Sequence, residues 1–476
     1  MAESMPTFVV VGHPNKGKSS VVAALAQDES VRIEPRSGTT TQSTAYRVEV
    51  DGHGVYRLVD TPGFQRPRRA LAWLRERATT AAERPAAVRA FLEAHRESGE
   101  MVDECELLEP LMDGGLVVYV VDGSVPYGPE YEDEMEILRW TGRPGLGLIN
   151  PIGDEARHLD SWKTALGQFL GVAVVFNPVA ADFEQQMVVL DQFAAIAEAN
   201  GVGVRRSLSL LKQARERAHD RASRVIAEWV STALTERVEK LMAKDAIPTA
   251  QEPELRERYE QRMRELEEKA RHEVERIYRH GRLERAGEGL TVPGEDLFDV
   301  DRWYLWGLTK RQLLTTLTTG GAGAGAAGGL VIDAGLGGAS LAAGALIGGL
   351  VGGAAGLTAG LRYGDRMADM KLGPVTLAGR RVTYGPSKHP NLPFVVLGRA
   401  LDHQGRVARW SHARREVMAL DPESPEAIWA REGMEATRKK LVRCFSRIQR
   451  SRGDEGAIEG LYGVIRPLMN RTDSEH

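Results

Sequence analysis

The sequence predicts an α/β fold: a mostly parallel sheet with helices on both faces, then a largely α-helical C-terminal region carrying a Gly/Ala-rich helical hairpin. Three observations lead there. Short apolar runs at 8–11, 55–59, 116–121 and 144–149 read as strands, most of them buried on both faces. The first run passes into Gly12-His13-Pro14-Asn15-Lys16-Gly17-Lys18-Ser19, which fits the phosphate-binding pattern GxxxxGK[ST], and then into a helix over 20–26. Past residue 203 the apolar residues fall three or four apart, and later the glycines recur every fourth position.

The chain is 476 residues long, too long for one core; at roughly 150 residues per domain it divides into about three. Charged residues at 27% and hydrophobic residues at 42% are ordinary for a folded soluble protein. Lys and Arg number 62 against 66 Asp and Glu, a net charge of -4 that argues against a globally basic nucleic-acid binder. Cys105 and Cys444 are the only cysteines, far apart, so neither a zinc site of usual spacing nor a disulfide scaffold is expected. Residues 1–7 lack a basic segment followed by an apolar one, which points to a cytoplasmic chain.

In the strand–loop–helix unit, glycines at both ends let the main chain wrap phosphates with its N–H groups. The phosphate-binding set is Gly12, Asn15, Lys16, Gly17, Lys18, Ser19 and Ser20. Lys18 is placed to reach the β and γ oxygens, and Ser19 to ligate Mg²⁺. A strand pair over 44–50 and 55–59, joined through Asp51-Gly52-His53-Gly54, leads into Asp60-Thr61-Pro62-Gly63. An Asp at the end of a buried strand suits a water-mediated Mg²⁺ contact, and Gly63 lets its N–H approach a γ-phosphate. Between them Ser37-Gly38-Thr39-Thr40-Thr41 suits a first switch loop.

With GxPNxGKS in the loop, GTT in the first switch and DTPGF after the third strand, the chain resembles the Era/TrmE-type translation-factor-class GTPases. The resemblance implies GTP and GDP as ligands, Mg²⁺ as cofactor and Thr40 as its protein ligand beside Ser19 and Asp60, with Thr39 the second choice for that role. It implies Lys18, Thr40 and Gly63 as the catalytic set, and Asn15 as the mark of potassium-stimulated hydrolysis, a K⁺ ion acting there like an arginine finger. Phe64 stands where Ras-like enzymes place a water-orienting Gln, so slow intrinsic turnover is expected, raised by an ion, a partner or self-association. The Arg-rich DTPGFQRPRRALAWLRE run, the DECELLEP run and the INPIG loop resemble a bacterial family that fuses an Era-like GTPase to a C-terminal region of unknown function.

The base-reading loop departs from the NKxD pattern. The chain shows Asn150-Pro151-Ile152-Gly153-Asp154, with Pro for Lys and Asp one position late. Asn150 and Asp154 are the base-binding candidates; relaxed purine specificity or use of ATP is the alternative. A helical insertion at 65–110 reads either as a solvated arm or as an arm coupled to the second switch.

Two amphipathic helices, over 204–243 and through Leu255, Tyr259, Met263, Leu266, Ala270, Val274 and Ile277, suggest a hairpin, a stalk or a compact bundle. Gly321, Gly325 and Gly329, then Gly344, Gly348, Gly352, Gly356 and Gly360, form a glycine zipper that lets helices approach closely. Each such glycine costs a soluble helix ~1 kcal/mol relative to Ala, so burial in lipid or in a tight bundle must offset it. Trp303, Tyr304, Trp306, Lys310 and Arg311 before it, and Arg362, Tyr363 and Arg366 after it, resemble interfacial anchors. The segment therefore reads as a membrane-associating hairpin at the inner face of the cell membrane, or as a buried zipper in a soluble protein. Short β-like pieces over 374–384 and helices over 394–418 and 424–449 complete the chain.

The expected domains are 1–202 for the GTPase unit, 203–300 for the helical hairpin, 301–366 for the Gly/Ala-rich hairpin and 367–476 for a small helical end. The function expected is a GTPase switch coupled to a membrane-associated helical region, with a membrane or a membrane protein as partner. The rivals are a soluble nucleotide-dependent scaffold with little turnover, and an Era-like RNA or ribosome-assembly GTPase; nucleic acid is the less expected partner.

Overall fold

A computed structural model describes residues 5–27, 42–96, 99–152, 157–199, 205–243, 252–280, 362–372, 375–414 and 433–474, with short pieces between 296 and 316 and single residues at 418 and 429. Two compact units result. The first is Met1–Arg217 with Arg279–Arg282 and Ala408–Glu416; the second is Ala218–Tyr278, Leu283–Val407 and Val417–His476. The first unit thus takes in all of 1–202 and three further segments.

Six strands form the sheet of the first unit: β1 (Thr7–Val11), β2 (Thr44–Val50), β3 (His53–Asp60), β4 (Leu116–Asp122), β5 (Gly145–Asn150) and β6 (Ala173–Val175), in the order β2-β3-β1-β4-β5-β6. β1 pairs in parallel with β3 and β4, and β4, β5 and β6 follow in parallel. β2 and β3 are antiparallel because only a two-residue turn joins them. Asp51 and Gly52 there take φ of 51° and 76°, the left-handed pair that such a turn demands. The register of β2 on β3 shifts at Val48/Glu49, a bulge.

The parallel strands are linked by helices α1 (Lys18–Ala26), α2 (Pro67–Arg75), α3 (Arg84–Arg96), α4 (Val102–Met112), α5 (Pro129–Trp140) and α6 (Leu159–Leu170), and α7 (Phe183–Ala199) follows β6. Alternate β1 residues face opposite ways. Phe8 and Val10 join Val22, Leu148 and Phe193 on one side, with Phe8 and Phe193 stacked at 4.3 Å. Val9 and Val11 join Leu71, Phe91, Leu107 and Trp162 on the other. β4 is buried along its whole length, hence its unbroken Leu-Val-Val-Tyr-Val-Val run.

The insertion at 65–110 is therefore not a solvated arm: α2, α3 and α4 bury Leu74, Val88, Phe91, Leu107, Leu108 and Leu111 in that second core layer. At about 1.5–3 kcal/mol per large apolar side chain, this burial holds the three helices on the sheet.

The second unit takes the larger part of α8 (Arg205–Thr235), which starts in the first unit. It continues through β7 (Val238–Ala243), α9 (Glu252–Ile277), β8 (Arg362–Leu372), β9 (Val375–Tyr384), α10 (Leu392–Arg409), α11 (Glu435–Ser451) and α12 (Glu455–Ser474). The helix expected to run to 243 stops at Thr235. Val238–Ala243 instead pairs antiparallel with β9, a strand more than 130 residues away, forming the sheet β7-β9-β8. The helix expected over 394–418 ends at Arg409, the one expected over 424–449 starts at Glu435, and α12 was not anticipated.

Most of the Gly/Ala-rich hairpin lies outside the described residues. Its expected aromatic anchors Trp303 and Trp306 are buried instead, with the Trp303 indole N–H donating to Leu297 O at 2.8 Å. Arg362 and Tyr363 open β8 and pair with β9. Among the described residues, no helix is long and apolar enough to cross a membrane.

Candidate nucleotide-binding site

The loop between β1 and α1 lies at the C-terminal end of the sheet, beside the strand at which the order switches direction, where α/β sheets hold ligands. Gly17 ends the loop at φ 86°, and a Cβ there would stand 2.3 Å from Asn150 Nδ2, so only glycine fits. The first turn of α1 carries no acidic residue, leaving its N–H groups and positive dipole end for an anion. Lys18 is buried, and its Nζ donates to Gly12 O at 3.2 Å and His13 O at 3.0 Å. Burial lowers its pKa to about 8, against the pull of the Asp60 and Glu134 carboxylates. Phosphate oxygens accept more strongly than those carbonyls. Asn15 is exposed, at φ 62°.

At the end of β3, Thr61 Oγ1 donates to Val10 O at 2.7 Å, tying that strand end to β1. Ser19 Oγ donates to Asp60 Oδ2 at 2.6 Å. A hydroxyl and a carboxylate converging at the loop are the hard oxygen donors that Mg²⁺ prefers, so these residues fit the ion. Thr40, Thr39 and Gly38 lie outside the described residues, as does Asp154. Among the described residues no three His, Cys, Asp or Glu side chains converge on a metal position. A Cβ on Gly63 would meet Pro14 N at 2.6 Å; the main chain that follows β3 lies directly on the loop between β1 and α1. Phe64 N–H donates to Gly12 O at 3.4 Å and its ring is buried.

Lys16, expected to bind phosphate, turns its side chain to Asp122 Oδ2 at 3.3 Å. Its carbonyl accepts Asn150 Nδ2 at 3.1 Å, so Asn150, expected at the base, braces the phosphate loop. Asn177 Oδ1 accepts the N–H of Val179 and of Ala180, ordering the Asn177-Pro178-Val179-Ala180 turn.

Four acidic residues of this region were missed from sequence. Glu134 is fully buried beneath the loop, accepting Tyr119 Oη–H at 2.8 Å and pairing with His13 Nδ1 at 2.8 Å. Asp122 also accepts the Ser124 N–H and hydroxyl. Glu104 accepts the N–H of Gln65 at 2.9 Å and of Arg66 at 2.5 Å, while Glu106 takes the Ser43 N–H at 3.0 Å. The signal for Glu134 was its place on the apolar stripe of α5, between Tyr131 and Leu138.

Comparison with known proteins gives two family matches: "50S ribosome-binding GTPase" over residues 7–142, and "Domain of unknown function (DUF3482)" over residues 163–458. GTPase Der of Bifidobacterium longum is 26% identical over 197 residues, 41% of this chain and 36% of its own. GTPase Der of a Nostoc species is 42% identical over 61 residues, 13% of each chain. The chain thus spans only 36% and 13% of the length of these two curated relatives. Among solved structures, an Era variant from Aquifex aeolicus bound to GDP and aluminium fluoride covers 57% of this chain and 89% of its own, at 16% identity and a TM-score of 0.27. Era in complex with MgGDPNP and a segment of 16S ribosomal RNA gives 58%, 89%, 15% and 0.28. With the second family match covering more than half of its length, the chain belongs to the DUF3482 family, and it carries a GTPase domain on the N-terminal side of that region.

Proposed function

We propose that the chain is a GTP-binding and GTP-hydrolysing switch whose nucleotide state is passed to its C-terminal helical region. The observation that carries this is the joint placement of Lys18, the open first turn of α1, the Ser19–Asp60 pair and Gly63 at one end of the sheet. Loop N–H groups and the Lys18 ammonium bind the β- and γ-phosphates, trading carbonyl acceptors for charged ones. Water attacks the γ-phosphorus in line; the bond to the bridging oxygen breaks, and GDP and phosphate leave. Lys18 and the Gly63 N–H meet the charge that grows on the oxygens as this happens. Ser19, Asp60 and the expected Thr40 would hold Mg²⁺, which would supply further positive charge to the triphosphate. The buried Phe64 ring orients no water, so turnover is slow and responds to K⁺ held with Asn15.

Nucleotide exchange and hydrolysis measured with GTP and ATP, each in K⁺ and in Na⁺, test this reading. GTP turnover that rises about tenfold in K⁺ is expected; equal turnover of ATP, or none of either, overturns it.

Coupling to a membrane is the finer part of the reading and is supported by the four-residue glycine spacing between 321 and 360. Fractionated cells should show the full chain pelleting with membranes and a form lacking residues 313–361 in the supernatant. A full chain that stays in the supernatant removes the membrane from the account.

A further inference from the structure

We infer that Glu104 is a positioning residue of the second switch, and that α4 joins the second switch to the chain leaving the first. The inference rests on the GTPase reading above and names a part of its regulation.

The segment after Gly63 is gripped from two sides. Toward the phosphate loop, Phe64 N–H donates to Gly12 O. Toward the insertion, the next two N–H groups, of Gln65 and Arg66, both donate to Glu104 Oε1, at 2.9 and 2.5 Å. Gly63, the donor meant for a γ-phosphate, is the next residue before this grip. Its N–H can be aimed only as far as its neighbours are fixed, and Glu104 fixes the C-terminal side.

Glu104 is 1% exposed, and burying a carboxylate there is costly unless its lone pairs are filled. Two main-chain N–H donors just before α2, those of Gln65 and Arg66, both reach Oε1 and offset that cost. α2 has no side-chain cap of its own: Arg66 occupies the N-cap position and makes no side-chain cap bond. Glu104 instead ties down the N–H groups of Gln65 and Arg66, which lead into that helix.

α4 is itself immobilised by Leu107, Leu108 and Leu111 in the core. Two residues beyond Glu104, Glu106 receives Ser43 twice. The Ser43 N–H donates to its carboxylate at 3.0 Å, and the Ser43 hydroxyl to its carbonyl at 2.7 Å. Ser43 immediately precedes β2, on the chain that leaves the first switch. One rigid helix therefore holds the exits of both switches, and a pull on either exit is felt at the other. A helix inserted only to extend the core needs neither carboxylate.

The test uses the full chain with Glu104→Ala, Glu104→Asp and Glu104→Gln. Three readouts are taken: the kcat and KM of GTP hydrolysis, the Kd for GDP, and hydrogen exchange of the Gln65 and Arg66 amides. A charged acceptor bond is worth about 1.5–3 kcal/mol, so Glu104→Ala is expected to lower kcat about tenfold or more. The Kd for GDP stays within about twofold, since the phosphate loop is untouched. Glu104→Asp, a methylene short of both amides, keeps the charge but shares the kcat loss. Glu104→Gln, which keeps an acceptor oxygen at full reach, recovers kcat to within about threefold of the parent.

Exchange of the two amides accelerates at least about tenfold in the Ala and Asp variants only. Parental kcat together with parental amide protection in those variants overturns the inference. If Glu104→Ala does not fold, the Asp and Gln pair decides alone. A parent whose turnover is unaffected by Lys18→Ala overturns the GTPase reading instead, and amide exchange still judges the grip by itself.

Discussion

Buried charge is handled in opposite ways at Glu267 in the second unit and at Lys18 in the first. In the second, Glu267 on α9 is closed off by Arg399 of α10, whose Nε and Nη2 reach its two oxygens at 2.7 and 3.2 Å, with Arg271 adding a third contact at 3.1 Å. Every strong partner there is another charge. At the phosphate loop of the first unit, Lys18 leans on two carbonyls and Asp60 on the Ser19 hydroxyl, partners that a ligand can replace. The contrast teaches how to tell a strut from a site. A buried charge neutralised by a charge reads as a strut; one resting on dipoles that a ligand can displace is a candidate for chemistry.

The largest effect expected from this contrast is in the strut. Removing Arg399 leaves Glu267 buried with one weaker partner, so Arg399→Ala should cost about 3–5 kcal/mol, read as a lowered denaturation midpoint, with the Kd for GDP unchanged. The same pair sets an acid limit. Burial pushes the Glu267 carboxyl up, but Arg399 and Arg271 overcome that and hold it down at about 2. Its folded value is depressed, so its contribution is fully present above the ordinary carboxylate range and is lost as pH falls through that range toward 2. Urea melts at pH 5 and pH 3 should show that loss in the parent and little of it in Arg399→Ala. Equal acid sensitivity in both would erase the distinction drawn above.

A smaller effect in free energy, and of opposite character, is expected at the site. Lys18→Ala removes a buried ammonium whose desolvation costs stability, so the melting midpoint should hold or rise while GTP affinity drops about a hundredfold, near 3 kcal/mol. Melting and nucleotide titration of one sample would show both. A variant that loses stability in step with affinity would put Lys18 among the struts.

The site was legible where chemistry forces residue order on the chain. Phosphate binding needs glycines, a lysine and a hydroxyl in a row, and residues 12–19 show them after an apolar strand. The sheet was legible because buried parallel strands are continuous apolar runs, as in Leu116–Asp122. What was missed depended on partners distant in sequence. Glu104 and Glu134 sit on helices rich in other acids, and nothing local separates a carboxylate facing two amides from one facing water. β7 has a composition that suits a helix, and only its pairing with β9 makes it a strand. Arg399 is one of several arginines along α10, and nothing local to it reveals that α9 supplies Glu267.

The ends of the larger sheet have a consequence for crowding. An open edge invites a neighbouring chain to add a strand and so to polymerise. Here one edge, β6, is only three residues long. The other, β2, is interrupted by its bulge and carries the solvent-facing Arg47–Glu49 ion pair. Neither offers a flat, regular template, so both edges of this sheet are poor seeds for strand-to-strand polymerisation.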